Sequence, residues 1–87
     1  MNTLTNVSFK NLTKTEQVVM IINSGKELLT RNEKGYNIHL YLLADFFVEV
    51  WFESNTKKIV KVEPVDKDSI ARNYKKINEL VKQLIRD

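Results

Sequence analysis

The feature that most constrains this sequence is an alternating stretch from residue 36 to residue 63, in which both alternate sets of positions carry apolar side chains. A period of two is typical of β-strands, whose successive side chains point to opposite faces of a sheet. One set predicts an apolar inner face: Ile38, Leu40, Phe46, Val48, Val50, Phe52, Val60 and Val62. The other set mixes aromatic and charged residues: His39, Tyr41, Phe47, Glu49, Trp51, Ile59, Lys61 and Glu63. We therefore expect three antiparallel strands whose second face is covered by another surface.

The turns between these strands determine which residues face each other. We expect three-residue loops, Leu43-Ala44-Asp45 and Ser54-Asn55-Thr56, because they keep valines opposite valines on the inner face. The outer face then has three cross-strand rows: Asn37-Trp51-Ile59, His39-Glu49-Lys61 and Tyr41-Phe47-Glu63. In this register Tyr41, Phe47, Trp51 and Ile59 form one contiguous apolar patch.

A helix is predicted before the strands. Thr13 and Glu16 have the spacing of a capping box, which places the helix start between residues 12 and 15. Its apolar positions follow a helical period up to the terminating Gly35: Val18, Ile21, Ile22, Gly25, Leu28 and Leu29. Val19 and Met20 fall outside this stripe. The helix therefore needs a second contact, either with the N-terminal arm through Leu4, Val7 and Phe9 or with another chain.

A second helix is predicted after Pro64, with Asp66 or Asp68 as its N-cap. Its apolar stripe has the spacing of a one-sided helix: Ile70, Tyr74, Ile77, Leu80, Val81, Leu84 and Ile85. The expected fold is an α+β domain of order α-β-β-β-α, a three-stranded antiparallel sheet with two helices packed on one face. Residues 1–11 are expected to form an N-terminal arm, and residues 12–87 a single domain.

Composition narrows the class of protein. A chain of 87 residues buries only about 60–65% of its unfolded surface, so a partner surface would add useful stability. The chain has no cysteine, which suits a reducing compartment. Its start resembles no signal peptide, and its longest apolar stretch, residues 40–52, is interrupted by Asp45 and Glu49. We expect a cytoplasmic protein that is not inserted in a membrane.

Catalytic chemistry finds little support in the sequence. His39 and Glu49 fall in one predicted row and could form a proton-transfer pair or two metal ligands. A charge ladder that continues to Lys61 is the simpler interpretation, since a metal site needs about three protein ligands. We therefore expect no enzyme activity, no cofactor and no metal.

Nucleic-acid binding is the alternative function. The order helix, three strands, helix resembles that of a double-stranded-RNA-binding domain. The face of the C-terminal helix that would contact nucleic acid is rich in basic residues: Arg72, Lys75, Lys76, Lys82 and Arg86. However, the net charge is only +3, and Asp66 and Asp68 stand where such domains place basic residues.

The favoured function is a small non-enzymatic module for protein binding or self-assembly, as a homodimer or with a protein partner. Its predicted interface is the outer sheet face, with Tyr41, Phe47, Trp51 and Ile59 as apolar contacts, and with Glu49 and Lys61 setting the register. A competing interpretation is that the N-terminal arm, in which Val7 and Phe9 alternate, covers this face within the monomer.

Overall fold

A computed structural model describes residues 4–74 of the chain. In chain order the elements are α1 (Asn6–Lys10), α2 (Lys14–Ser24), β1 (Lys26–Glu33), β2 (Tyr36–Leu43), β3 (Phe46–Glu53), β4 (Ile59–Val65) and α3 (Lys67–Asn73). The strands form one antiparallel sheet in the order β1-β2-β3-β4. The α+β class and the antiparallel sheet are confirmed, but the sheet has four strands rather than the three predicted.

The predicted start of α2 is confirmed, and it rests on local hydrogen bonds. The backbone N–H of Glu16 donates to the Thr13 hydroxyl at 3.1 Å, and the backbone N–H of Thr13 donates to the Glu16 carboxylate at 2.8 Å. A second capping box at Thr5 and Ser8 begins α1. The segment predicted as an arm therefore contains a short helix, which buries Phe9.

The predicted continuation of this helix to Gly35 is wrong. The helix ends at Ser24, and Gly25 leaves it with extended backbone angles, φ −80° and ψ 148°. A Cβ atom at Gly25 would lie 2.7 Å from the backbone oxygen of Ile21, so the chain exit requires glycine here.

Residues 26–33 instead form the edge strand β1. Lysine, glutamate and leucine favour helices intrinsically, which is why the local sequence predicts the wrong element. Pairing with β2 overrides this preference, since Leu29 lies opposite Leu40 and Arg31 opposite Ile38. Long-range pairing has therefore decided the structure of this segment.

The turn between β2 and β3 is one residue shorter than predicted. Leu43 pairs with Phe46, so only Ala44 and Asp45 form the turn. Ala44 adopts φ 54°, a left-handed conformation that alanine rarely takes. Because side chains alternate with a period of two, this change reverses the facing of β2 relative to β3.

The β3–β4 pairing also differs from the prediction. Residues 54–58 form the connection, and a bulge at Val60 separates the Trp51–Lys61 pair from the Phe52–Ile59 pair. The predicted Trp51–Ile59 and Glu49–Lys61 pairs are therefore wrong. The observed rows on the Trp51 face are Ile38-Trp51-Lys61, Leu40-Glu49-Glu63 and Leu42-Phe47-Val65.

The opposite sheet face packs against α1 and α2. The buried cluster on this face is Phe9, Ile21, Leu43, Phe46, Val48 and Val50. The rings of Phe9 and Phe46 meet edge to face with centroids 5.7 Å apart. Gln17, buried in α2, donates from Nε2 to the backbone oxygen of Phe9 at 2.9 Å, and this bond joins the two helices. We call this side of the sheet the helix face.

The N-cap of α3 is Asp66, one of the two residues predicted for that role. Its carboxylate accepts from the backbone N–H of Ser69 at 2.8 Å, and this bonding lowers the pKa of Asp66. Tyr74, which ends α3, reaches Glu49 on the face opposite α1 and α2. The packing of both predicted helices on one face of the sheet stays a prediction. Part of the predicted stripe lies outside the described residues: Ile77, Leu80, Val81, Leu84 and Ile85.

Candidate interaction surface

Helix α2 crosses the helix face from one edge of the sheet to the other. It begins beside β4, where Nζ of Lys14 donates to the backbone oxygen of Ile59 at 2.7 Å. Its last residue leads through Gly25 into β1, the strand at the opposite edge. Near the β2–β3 turn, Phe9 fills the space against Phe46. Towards the other end of the strands, a groove remains between α2 and the sheet.

This groove, which we call the α2 groove, is apolar and has a volume of about 190 Å³. Its lining comes from α2 and from the three strands beneath it: Val18, Ile21, Ile22, Tyr41, Val50, Phe52 and Ile59. Ile22 is 75% exposed and Val19 is 49% exposed. Residues three or four apart on a helix are neighbours, so Val18, Val19 and Ile22 form one apolar ridge beside the groove.

The two ends of the groove carry opposite charges. At the β4 end, Lys14 makes no ion pair with any residue between 4 and 74. At the β1 end, Glu27 is paired with Tyr41 across the strands, and its Oε1 lies 2.8 Å from Nδ1 of His39. The hydrogen bond with His39 lowers the pKa of Glu27. Burial, followed by the charge of Glu27, raises the pKa of Tyr41.

The other sheet face holds a buried carboxylate. Glu49 is only 3% exposed, and Arg31 donates to it from Nε at 3.1 Å and from Nη2 at 3.3 Å. Trp51 and Tyr74 donate to the same carboxylate at 3.4 Å and 2.8 Å. Burial alone would lower the pKa of Arg31, but its bonds to Glu49 and Glu33 raise it above its ordinary value. Donors from the same chain therefore satisfy the hydrogen-bonding capacity of the buried Glu49 carboxylate.

Trp51 is also occupied by groups of its own chain. Nζ of Lys61 lies 4.8 Å from the centre of the Trp51 ring, and the guanidinium carbon of Arg31 lies 5.3 Å from it. Tyr36 meets the indole edge to face, with ring centroids 5.7 Å apart. The indole is therefore held among cations and an aromatic ring.

The predicted interface residues are divided between the two faces. Tyr41 and Ile59 lie on the helix face and line the α2 groove. The remaining four, Phe47, Glu49, Trp51 and Lys61, lie on the opposite face. His39 and Glu49, considered as a proton-transfer pair, are on different faces, because His39 pairs with Val50.

The groove could have been found in part from the sequence. Residues 18–22 are five consecutive apolar residues, Val-Val-Met-Ile-Ile, which is more than one helix face can bury. Met20 packs against the core together with Leu4 and Leu12, whereas Val19 stays exposed. No sequence pattern indicated the partners of Glu49. Arg31 was predicted to lie in a helix, so it was not expected beside Glu49 in the sheet.

Of the residues predicted to bind nucleic acid, only Arg72 is described, and it is exposed on α3. The others, Lys75, Lys76, Lys82 and Arg86, lie outside the described residues. Within residues 4–74, no group of three potential metal ligands comes together. In the same range, no helix combines the length and apolar character needed to cross a membrane.

Comparison with protein-family models, with curated proteins and with solved structures finds no match to this chain.

Proposed function

We propose that this protein is a small non-enzymatic assembly module that self-associates through the α2 groove. The supporting observation is the exposure of Ile22 beside an apolar groove on the same helix. Contiguous apolar surface of this kind is characteristic of interaction sites, whereas isolated exposed apolar residues are ordinary.

The proposed interface is the α2 groove and not the aromatic sheet face that was predicted from the sequence. The aromatic sheet face offers few unsatisfied groups, because Glu49 has four donors and Trp51 has cation and aromatic partners within the chain. Tyr41 and Ile59 remain in the proposed interface, since both line the groove.

The groove has room for one aliphatic side chain. An apolar cavity of about 150 Å³ holds a benzene molecule, and the α2 groove has about 190 Å³. Burying an isoleucine side chain contributes about 1.5–3 kcal/mol. Two such side chains in a symmetric pair contribute about 3–6 kcal/mol, and burial of the ridge around them must supply the rest of the free energy that offsets the cost of association. We therefore expect a weak, concentration-dependent dimer.

The test is the solution mass, measured by light scattering from about 10 μM to about 1 mM, a range that spans the weak affinities expected here. The change Ile22→Lys places a charge on the ridge and should weaken association about 100-fold or more. The matched control is Asn23→Lys, which adds the same charge at the next exposed residue of α2.

A mass that rises towards that of a dimer in the parent protein and in Asn23→Lys, but not in Ile22→Lys, supports the proposal. Circular dichroism should show that all three proteins are folded, since Ile22 is largely exposed. A parent protein that stays monomeric over the whole concentration range contradicts the proposal. Equal association of the two variants contradicts the use of the α2 groove.

A further inference from the structure

The charges at the two ends of the groove indicate how two copies would be arranged. We infer that the assembly is a two-fold dimer in which the α2 helices pack antiparallel and Lys14 pairs with Glu27 of the partner subunit. This inference rests on the proposed self-association. The occupant of the groove is thus a second copy of this chain.

The apolar surface is self-complementary. The ridge residue Ile22 protrudes from the same helix whose Val18 and Ile21 line the groove. A two-fold interface uses one patch on both subunits, so the patch must contain both the protruding and the receiving surface. The α2 surface meets this requirement, because each Ile22 can enter the groove of the partner subunit.

The end charges favour the antiparallel arrangement. Lys14 is at the start of α2, and Glu27 follows its end by three residues. In an antiparallel pair the start of one helix lies beside the end of the other, so opposite charges meet twice across the two-fold axis. A parallel pair would place the two Lys14 side chains together, and like charges would oppose it.

Both side chains have capacity for this pairing. The Lys14 ammonium has three N–H donors, and the described residues accept only one of them, at the backbone oxygen of Ile59. The side chain of Glu27 is 50% exposed; its Oε1 contacts His39, and the carboxylate also interacts with the Tyr41 hydroxyl. An ionised carboxylate has about four acceptor sites, so Glu27 can still accept a hydrogen bond from Lys14 of the partner subunit.

A charge-reversal experiment tests the arrangement. Lys14→Glu and Glu27→Lys are prepared separately, and the mass of each is measured by light scattering at low salt. Each variant alone would place like charges at both ends of the interface and should dimerise at least about tenfold more weakly than the parent. An equimolar mixture should associate within about threefold of the parent affinity, because the mixed dimer has an opposite-charge pair at each end.

Two controls separate pairing from net charge and from folding. Lys67→Glu and Asp45→Lys make the same charge changes at exposed positions away from the α2 groove and should leave association unchanged. At about 1 M salt the differences between the variants should shrink, because the screening length falls to about 3 Å. Thermal unfolding followed by circular dichroism checks that each variant is folded.

The possible outcomes test the antiparallel arrangement separately from the proposed self-association. If the parent dimerises and the mixture is no stronger than either variant, the antiparallel pairing is overturned while self-association stands. If the single variants dimerise like the parent, the Lys14–Glu27 contact is likewise overturned. If the parent is monomeric throughout, the proposed function itself fails.

Discussion

Tyr74 and Glu49 are joined by a 2.8 Å hydrogen bond from the phenolic oxygen to Oε2, across 25 residues of sequence. The same carboxylate accepts two hydrogen bonds from Arg31 in β1. One buried side chain of β3 therefore connects the edge strand β1 with the end of α3. Every buried side-chain nitrogen or oxygen between residues 4 and 74 has a hydrogen-bond partner.

Removing the buried carboxylate should destabilise the protein strongly. Glu49→Ala would leave the guanidinium of Arg31 without its main buried partner, and we expect a loss of about 3 kcal/mol in the free energy of unfolding. The control is Glu63→Ala. Glu63 lies directly opposite Glu49 on β4, but its side chain is 47% exposed, so the change should cost about 0.5 kcal/mol or less. Urea unfolding measures both, and equal losses would show that the Glu49 network adds nothing.

The Tyr74 hydrogen bond should make stability depend on alkaline pH. Burial, followed by the bond to Glu49 and its charge, raises the pKa of Tyr74 above its ordinary value. The folded state therefore favours the protonated phenol. The unfolded phenol titrates near pH 10, so the contribution is intact below about pH 10 and declines as the pH rises towards the raised folded-state pKa.

Tyr74→Phe isolates this effect, since phenylalanine cannot ionise. At pH 8 we expect the variant to be about 1–2 kcal/mol less stable than the parent. The difference should shrink between about pH 9.5 and 11. Urea unfolding at three pH values provides the measurement, and a difference that stays constant with pH would contradict the assignment.

Ala44→Gly should stabilise the β2–β3 turn. Ala44 has φ 54°, where alanine is strained by about 1 kcal/mol relative to glycine. The gain should be about 0.5 kcal/mol after the greater flexibility of unfolded glycine is subtracted. The same change at Ala71, within α3, should instead cost up to about 1 kcal/mol. Thermal unfolding measures both variants. A gain in stability for Ala44→Gly and a loss for Ala71→Gly support the turn geometry, whereas a loss for both would contradict it.

Gly25→Ala should destabilise the exit from α2. The added Cβ would lie 2.7 Å from the backbone oxygen of Ile21, and backbone cannot shift as easily as a side chain. We expect a loss of about 1–3 kcal/mol in urea unfolding. Ser24→Ala, at the preceding exposed residue, should change stability by less than about 0.5 kcal/mol. Similar values for the two variants would show that the chain relaxes around the new methyl group.

Features that depend on neighbouring residues were predicted correctly. The Thr13–Glu16 capping box begins α2, and Asp66 caps α3, because each bond joins residues three apart. The facing of β3 also follows from its own alternation, with Val48 and Val50 in the core. The candidate surface was predicted less well, since only Tyr41 and Ile59 of the predicted interface line the α2 groove.

The sequence by itself therefore determined the helix starts, the alternation of the strands and the surplus of apolar residues on α2. Tertiary structure alone decided that residues 26–33 pair with β2, although their local preference is helical. It also decided the facing of β2, through a turn in which Ala44 adopts an unfavourable backbone angle. A one-residue change in a turn reverses a whole strand, so His39 and Tyr41 joined the helix face and Ile38 and Leu40 the other. The physical reason is that local hydrogen bonds and alternation are encoded within a few residues, whereas strand pairing depends on contacts with residues distant in the chain.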